Sequence, residues 1–179
     1  GSGAWAIQLL KHSTAATRID VYELPDAIPI VSTVFHRYAG AESRVTYVPG
    51  SFLQDIEQPY LSGLPRDKTY DFISMGWILH DWNDETNVRI LRKVRSHLKP
   101  QGVLVVMEAV LPDSRLGPST ILDMAMLIQT EGCERTFEEY KRLLELAGFA
   151  GVEKVATAQP TRRQIIKAVK GPENELSLQ

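Results

Sequence analysis

The sequence predicts an α/β fold, a largely parallel sheet with helices on both faces and an antiparallel strand pair at its C-terminal edge. Three observations carry this. Short β-branched or apolar runs alternate with helical patterns along the chain; residues 70–77 and 103–107 are apolar without regular polar alternation, as strands covered on both faces are; and the last two runs are joined by a short link through Gln159 and Pro160.

Taken in order, residues 4–10 read as a helix already under way directly after Gly1, Ser2 and Gly3. Residues 19–24 form a β-branched and aromatic run stopped by Pro25, the first visible strand. Residues 27–38 place apolar side chains at helical intervals and end before Gly40; residues 44–48 are a second strand halted by Pro49 and Gly50. Residues 52–68, with Pro59, Gly63 and Pro65, read as a loop before the third strand at 70–77.

Asp84 and Glu85 open a helix whose Val88, Leu91, Val94 and Leu98 recur at three and four positions, and Pro100 and Gly102 are expected to end it. The strand at 103–107 should stop at Glu108. A loop with Pro112, Gly117 and Pro118 leads to an apolar helix at 121–129. Thr136 followed by Glu139 is the capping-box spacing of a further helix, which Gly148 ends. Strands at 152–157 and 163–169 close the fold. Residues 1–171 are thus expected to form one domain, and 172–179 a polar tail.

Bulk properties narrow the function. With 179 residues and 44% hydrophobic content the chain can bury one sizeable core. Its 20 Lys plus Arg against 22 Asp plus Glu give a net charge of -2, too little positive charge for a long phosphate footprint, so nucleic acid is not an expected partner. No apolar run of membrane-spanning length occurs, and the single cysteine, Cys133, allows no internal disulfide. A reducing, cytoplasmic setting fits. Cys133 also lacks metal-ligand spacing, and neither a GxSxG elbow nor a phosphate-binding GxxxxGK[ST] loop is present, which leaves metal, hydrolase and kinase chemistry without support.

In open α/β sheets ligands bind beyond the carboxyl ends of the strands, so those positions matter most. Glu23 ends the first visible strand 20 positions after Gly3, the separation at which an acid meets ribose hydroxyls; a surface acid before Pro25 explains it as well. Gly50, Ser51 and Phe52 could cradle a flat ring or form a simple turn. The third strand runs into Ile78, Leu79, His80, Asp81, Trp82, Asn83, Asp84 and Glu85. His80 beside a carboxylate suits a general base, while a core or capping role for His80 and Trp82 is the competing reading. Glu108 and Glu134 belong to the same face, and either could accept from the second ring nitrogen.

Several of these stretches, in order, resemble the O-methyltransferase family that includes caffeate, isoflavone and acetylserotonin O-methyltransferases. Gly1, Ser2 and Gly3 resemble the end of its glycine-rich cofactor loop; Glu23, Leu24 and Pro25 its Asp-Leu-Pro; Gly50, Ser51 and Phe52 its Gly-Asp-Phe. Residues 78–85 resemble its Ile-Leu-His-Asp-Trp-x-Asp-Glu, and residues 132–136 and 143–149 its Gly-x-Glu-Arg-Thr and Leu-Leu-x-x-Ala-Gly-Phe motifs. Residues 126–132 lean toward the acetylserotonin branch.

The resemblance implies a Rossmann-like class I methyltransferase sheet and methyl transfer from S-adenosylmethionine to a small-molecule hydroxyl. It implies His80 as base with Glu108 and Glu134 flanking it, and no metal. It also implies cofactor contacts from Gly1, Gly3, Glu23, Leu24, Ser51, Phe52, Gly76 and Trp77, and acceptor contacts from Asp81 and Met126. It further implies a homodimer for the full-length protein, together with a first strand and an N-terminal helical domain preceding Gly1. Ser51 stands where the family has an acid, and Gly76 or Trp77 where it often has a Lys or Arg. Those departures keep an alternative open, a truncated, non-catalytic binding or regulatory module. An NAD-dependent oxidoreductase rests only on the loop glycines and Glu23.

Overall fold

The computed structural model describes residues 3–12, 18–38, 44–117, 119–157 and 163–172, in two compact units. The first comprises residues 1–55 and 61–65, the second residues 56–60 and 66–179.

In the first unit helix α1 (Ala4–His12) precedes strand β1 (Ile19–Glu23). A single 3-10 turn, Pro25–Ala27, leads into helix α2 (Ile28–Tyr38), and strand β2 (Val45–Pro49) follows. Pro25 sits in the first turn of the 3-10 segment, where its missing N–H has no helical partner to lose. β1 and β2 pair in parallel from Ile19 opposite Val45 to Glu23 opposite Pro49. Ile7, Leu10 and Val31 are buried at the centre, with Ile19, Val21, Val45 and Tyr47 packed around them. The expected closure of α2 at Gly40, and the role given to Gly1, lie outside the described residues.

The second unit is built on strands β3 (Tyr70–Gly76) and β4 (Leu98–Leu111), joined by helix α3 (Asp84–Ser96). Helix α4 (Ser119–Gln129), the two-residue strand β5 (Arg135–Thr136) and helix α5 (Phe137–Leu146) come next, then strands β6 (Phe149–Val155) and β7 (Arg163–Lys170). The sheet order is β3-β4-β7-β6, with β5 also on β4. β3 and β4 are parallel; β4–β7 and β7–β6 are antiparallel, so the closing hairpin attaches through β7. Ile90, Leu91, Leu98, Leu104, Val106, Tyr140, Leu144 and Ile166 are fully buried, each worth about 1.5–3 kcal/mol relative to exposure.

Local signals decide where these helices start and stop. The Asn83 side chain caps α3 by accepting from Thr86 N, and Thr136 with Glu139 forms the expected capping box of α5. Gly148 ends α5 at φ +90, and a Cβ there would meet the Arg95 guanidinium that donates to the Gly148 carbonyl.

One strand differs substantially from expectation. β4 starts at Leu98, so residues 99–102, expected to terminate a helix, form its irregular beginning, with Gln101 at φ +63 and a register slip between Tyr70 and Phe72. It then runs past Glu108 to Leu111. The reason is non-local: Val103 to Ala109 pair with β7, and Val110 and Leu111 pair with β5, so ladder hydrogen bonds extend the strand at both ends. Glu108 is therefore inside a strand, not after one. Smaller shifts occur at β2, which spans 45–49, and at β6, which spans 149–155.

Candidate active site

β3 ends abruptly because Trp77, the next residue, takes φ +57, a left-handed conformation costly for an aromatic residue. Its N–H donates to Met107 O, and the chain then makes one 3-10 turn, Leu79–Asp81, before α3. His80 rides on that turn, 5% exposed, its ring edge-on to Trp77 at 5.0 Å between centroids.

Three carboxylates face the His80 imidazole. Nδ1 lies 3.1 Å from Glu134 Oε1, and Nε2 lies 3.5 Å from Asp81 Oδ1. Glu108 Oε2 is 3.9 Å from Nδ1, too far for a hydrogen bond. Of the two acids that could have held the second ring nitrogen, Glu134 does so. Glu108 instead uses Oε1 to accept from the backbone N–H groups of Ile78 and Leu79, and so holds the turn rather than the ring. Both glutamates are completely buried.

The electrostatics follow from this packing. Burial opposes a charged imidazolium, yet the hydrogen bond to Glu134 and the charges of Glu108, Glu134 and Asp81 outweigh it and raise the His80 pKa above 6.5. Burial pushes the Glu108 carboxyl up to about 7, against its two backbone donors and the attraction of His80. Tyr140 is fully buried in the same neighbourhood, and burial together with the negative Glu108 and Glu134 keeps its hydroxyl protonated well past 10. Among the described residues Glu108 Oε2, Glu134 Oε2 and the Tyr140 hydroxyl are buried without hydrogen-bond partners, at about 1–3 kcal/mol each.

The turn itself is held from behind by residues 132–136. Gly132 packs so closely that a Cβ there would lie 2.0 Å from the His80 carbonyl oxygen and 2.6 Å from Trp82 N. Glu134 N donates to Asp123 Oδ1 of α4 at 2.8 Å. Arg135, 3% exposed, donates to the carbonyls of Leu79, Trp82 and Cys133 and to Asp84 Oδ1. Asn87, fully buried on α3, donates to the Leu79 and Trp82 carbonyls as well. Arg135 falls in the stretch that resembles Gly-x-Glu-Arg-Thr, which assigns it no role, and Asn87 does not stand out in the sequence. The available signal was Asn87's place on the buried face of α3, three positions before Ile90 and four before Leu91.

The first unit gathers a second set of expected residues. Because β1 and β2 pair in parallel with Glu23 opposite Pro49, Glu23–Leu24 and Gly50–Ser51–Phe52 emerge side by side at their carboxyl ends. Gly50 N donates to Glu23 O at 3.0 Å, which ties the two turns together. The Glu23 carboxylate accepts from Leu24 N, and Leu24 is 55% exposed. Ser62 braces the second turn, its hydroxyl accepting from Ser51 N and donating to Ser51 O. A half-exposed carboxylate beside an exposed apolar side chain and the half-buried Phe52 suits a nucleoside, whose ribose hydroxyls donate and whose base is flat and apolar. Gly3, at φ +69, precedes α1 and accepts from Ile7 N.

Of the remaining expected residues, Gly76 closes β3, and Asp81 stands within the His80 cluster. Met126 is half-buried on α4, whose Asp123 holds Glu134 N. Among the described residues no group of three His, Cys, Asp or Glu side chains has metal-binding geometry, and no helix is long and apolar enough to cross a membrane.

Comparison with known proteins bears on these arrangements. The profile of the O-methyltransferase domain family matches residues 1–150. Acetylserotonin O-methyltransferase of Mus musculus is 35% identical over 155 residues, 84% of this chain and 37% of that protein. Human N-acetylserotonin methyltransferase, solved in complex with SAM, superposes with a TM-score of 0.77 at 29% identity, over 96% of this chain and 46% of that one. PigF, solved with SAH, gives 0.78 at 27% identity, over 95% and 48%. The chain thus spans less than half the length of each of these relatives.

Proposed function

Since this chain belongs to the O-methyltransferase domain family, we propose that it transfers a methyl group from S-adenosylmethionine to a hydroxyl of a small aromatic metabolite, with His80 as general base. The observation that carries the assignment of the base is the buried His80 with Nδ1 on Glu134 and two further carboxylates around the ring.

With Nδ1–H donating to Glu134, Nε2 keeps its lone pair and takes the acceptor's proton. Asp81, beside Nε2, then stabilises the imidazolium that forms. A phenol has a pKa near 10, so it loses its proton in step with attack; a raised His80 pKa narrows that gap. S-adenosylmethionine, when bound, supplies a methyl group activated on a sulfonium. Glu23 is suited to accept from its ribose hydroxyls, Leu24 and Phe52 to flank its adenine, and Gly1, Gly3, Ser51, Gly76 and Trp77 to complete its contacts. Asp81 and Met126 are assigned to the acceptor.

On this reading residues 1–171 act as one domain, in the cytoplasm, on a small-molecule partner rather than nucleic acid or membrane, and the intact protein is a homodimer. The acetylserotonin relatives favour hydroxyindoles among aromatic acceptors. The test is methyl transfer by the intact protein to a panel of phenols and hydroxyindoles, alongside calorimetric titration with S-adenosylhomocysteine. His80→Ala should lower kcat by roughly 10²–10⁴-fold while leaving the Kd for S-adenosylhomocysteine within about 3-fold. Undiminished turnover in His80→Ala would refute the base, and no binding by the intact protein would refute the cofactor.

A further inference from the structure

We propose that Arg135, together with Asn87, is a positioning residue that fixes the His80 turn from behind, so that the imidazole meets Glu134 and the acceptor in one orientation. This rests on His80 being the base.

The geometry is unusually complete for a residue that touches no reacting group. Arg135 Nη1 donates to Leu79 O at 3.0 Å and Cys133 O at 3.1 Å, Nη2 to Trp82 O at 2.9 Å and Asp84 Oδ1 at 2.7 Å, and Nε to Asp84 Oδ1 at 2.9 Å. Leu79 and Trp82 bracket His80 and Asp81, so one rigid planar fork grips both ends of the turn. Asn87 Nδ2 donates to the same two carbonyls, at 2.8 and 2.9 Å. The Asn87 amide oxygen is buried without a partner among the described residues, so the amide is placed for those carbonyls and nothing else. A 3-10 turn of three residues has too few hydrogen bonds of its own to hold a shape.

Arg135 also follows Glu134 directly, so the segment that grips the turn's backbone is the one that grips the ring. Loosening the first grip moves Nδ1 away from the second. Misplacement of about 1 Å can cost 10²-fold in rate without affecting distant binding.

Arg135→Lys separates positioning from charge, because the cation is kept and the fork is lost. In the intact protein it should lower kcat by about 10–100-fold, leave the Kd for S-adenosylhomocysteine within about 2-fold, and move the His80 titration, followed by NMR of its imidazole, down toward 6.5. Asn87→Ser should do the same more weakly. Should Arg135→Lys lose its cooperative thermal transition, Asn87→Ser alone carries the test. An unmoved His80 titration in the folded variant overturns the proposal. So does a parallel loss of turnover and S-adenosylhomocysteine binding, which marks a merely structural role. The NMR readout needs no turnover, so an active His80→Ala would sink the assigned chemistry while the clamp is still measured independently.

Discussion

The two strand-end sites are built on opposite principles. At the ends of β1 and β2 the groups are less enclosed: Leu24 is 55% exposed, Glu23 and Phe52 are half-buried, and the Glu23 carboxylate accepts from the adjacent Leu24 N–H. At the end of β3 the groups are buried and over-determined, with the His80 ring held by Glu134 and the backbone on either side of His80, at Ile78, Leu79 and Trp82, held by Glu108, Arg135 and Asn87. A site that must accept and release a nucleoside can leave its donors and acceptors to water until the ligand arrives. A base whose lone pair must point one way cannot, and its orientation has to be set during folding.

Changes at the buried site should therefore act on turnover and changes at the open site on binding. Short of removing His80 itself, the largest effect is expected from Glu134→Gln, which leaves a neutral partner on Nδ1 and no anion at 3.1 Å. kcat should fall by roughly 10²–10³-fold. The pH profile gives a second readout. Since the surrounding acids raise the His80 pKa, the active neutral imidazole of the parent accumulates only as pH rises through a value above 6.5, and this inflection should move to lower pH in Glu134→Gln. An inflection that stays in place would mean that Glu134 does not set the basicity of the ring.

Gly132→Ala comes next. A methyl group 2.0 Å from the His80 carbonyl must displace the turn, and about 10²-fold in kcat should be lost, with about 1–3 kcal/mol of stability from overpacking. Parent-like turnover combined with a lowered Tm would show that the close contact serves folding only. The smallest effect is predicted for Glu23→Gln. It keeps an acceptor but removes its charge, so the Kd for S-adenosylhomocysteine should rise roughly 5–10-fold with kcat little changed. A kcat defect there larger than the binding defect would erase the distinction between the sites.

What was legible in the sequence divides along the same line between local and non-local causes. The α5 capping box needs only Thr136 and Glu139, three positions apart, and it formed as read. The sheet's alternation with helices and its final antiparallel pair were likewise visible, since apolar periodicity and Pro or Gly stops act within a few residues. The extent of β4 was not, because its ends are set by β7, some sixty residues on, and by the two-residue β5. His80, Glu108 and Glu134 were picked out as a set, yet their division of labour required knowing which oxygen reaches which nitrogen. Arg135 was visible in the Gly-x-Glu-Arg-Thr resemblance, yet its role was not, for a different reason. A charged residue in a loop reads as solvated, and it is the carbonyls of Leu79 and Trp82 and the carboxylate of Asp84, more than fifty positions earlier, that make its burial tolerable.

Gly132, Glu134 and Arg135 lie within four consecutive positions and serve the same turn by three means: a bare backbone, a ring contact and a guanidinium fork. Substitution in this stretch can weaken one of the three and spare the others. Loss or gain of a single residue within it cannot, because it would change the spacing between the bare backbone at Gly132 and the two buried side chains, Glu134 and Arg135, that reach the same turn. The segment is thus open to tuning by point changes and closed to changes in length, a rigidity of spacing rather than of composition.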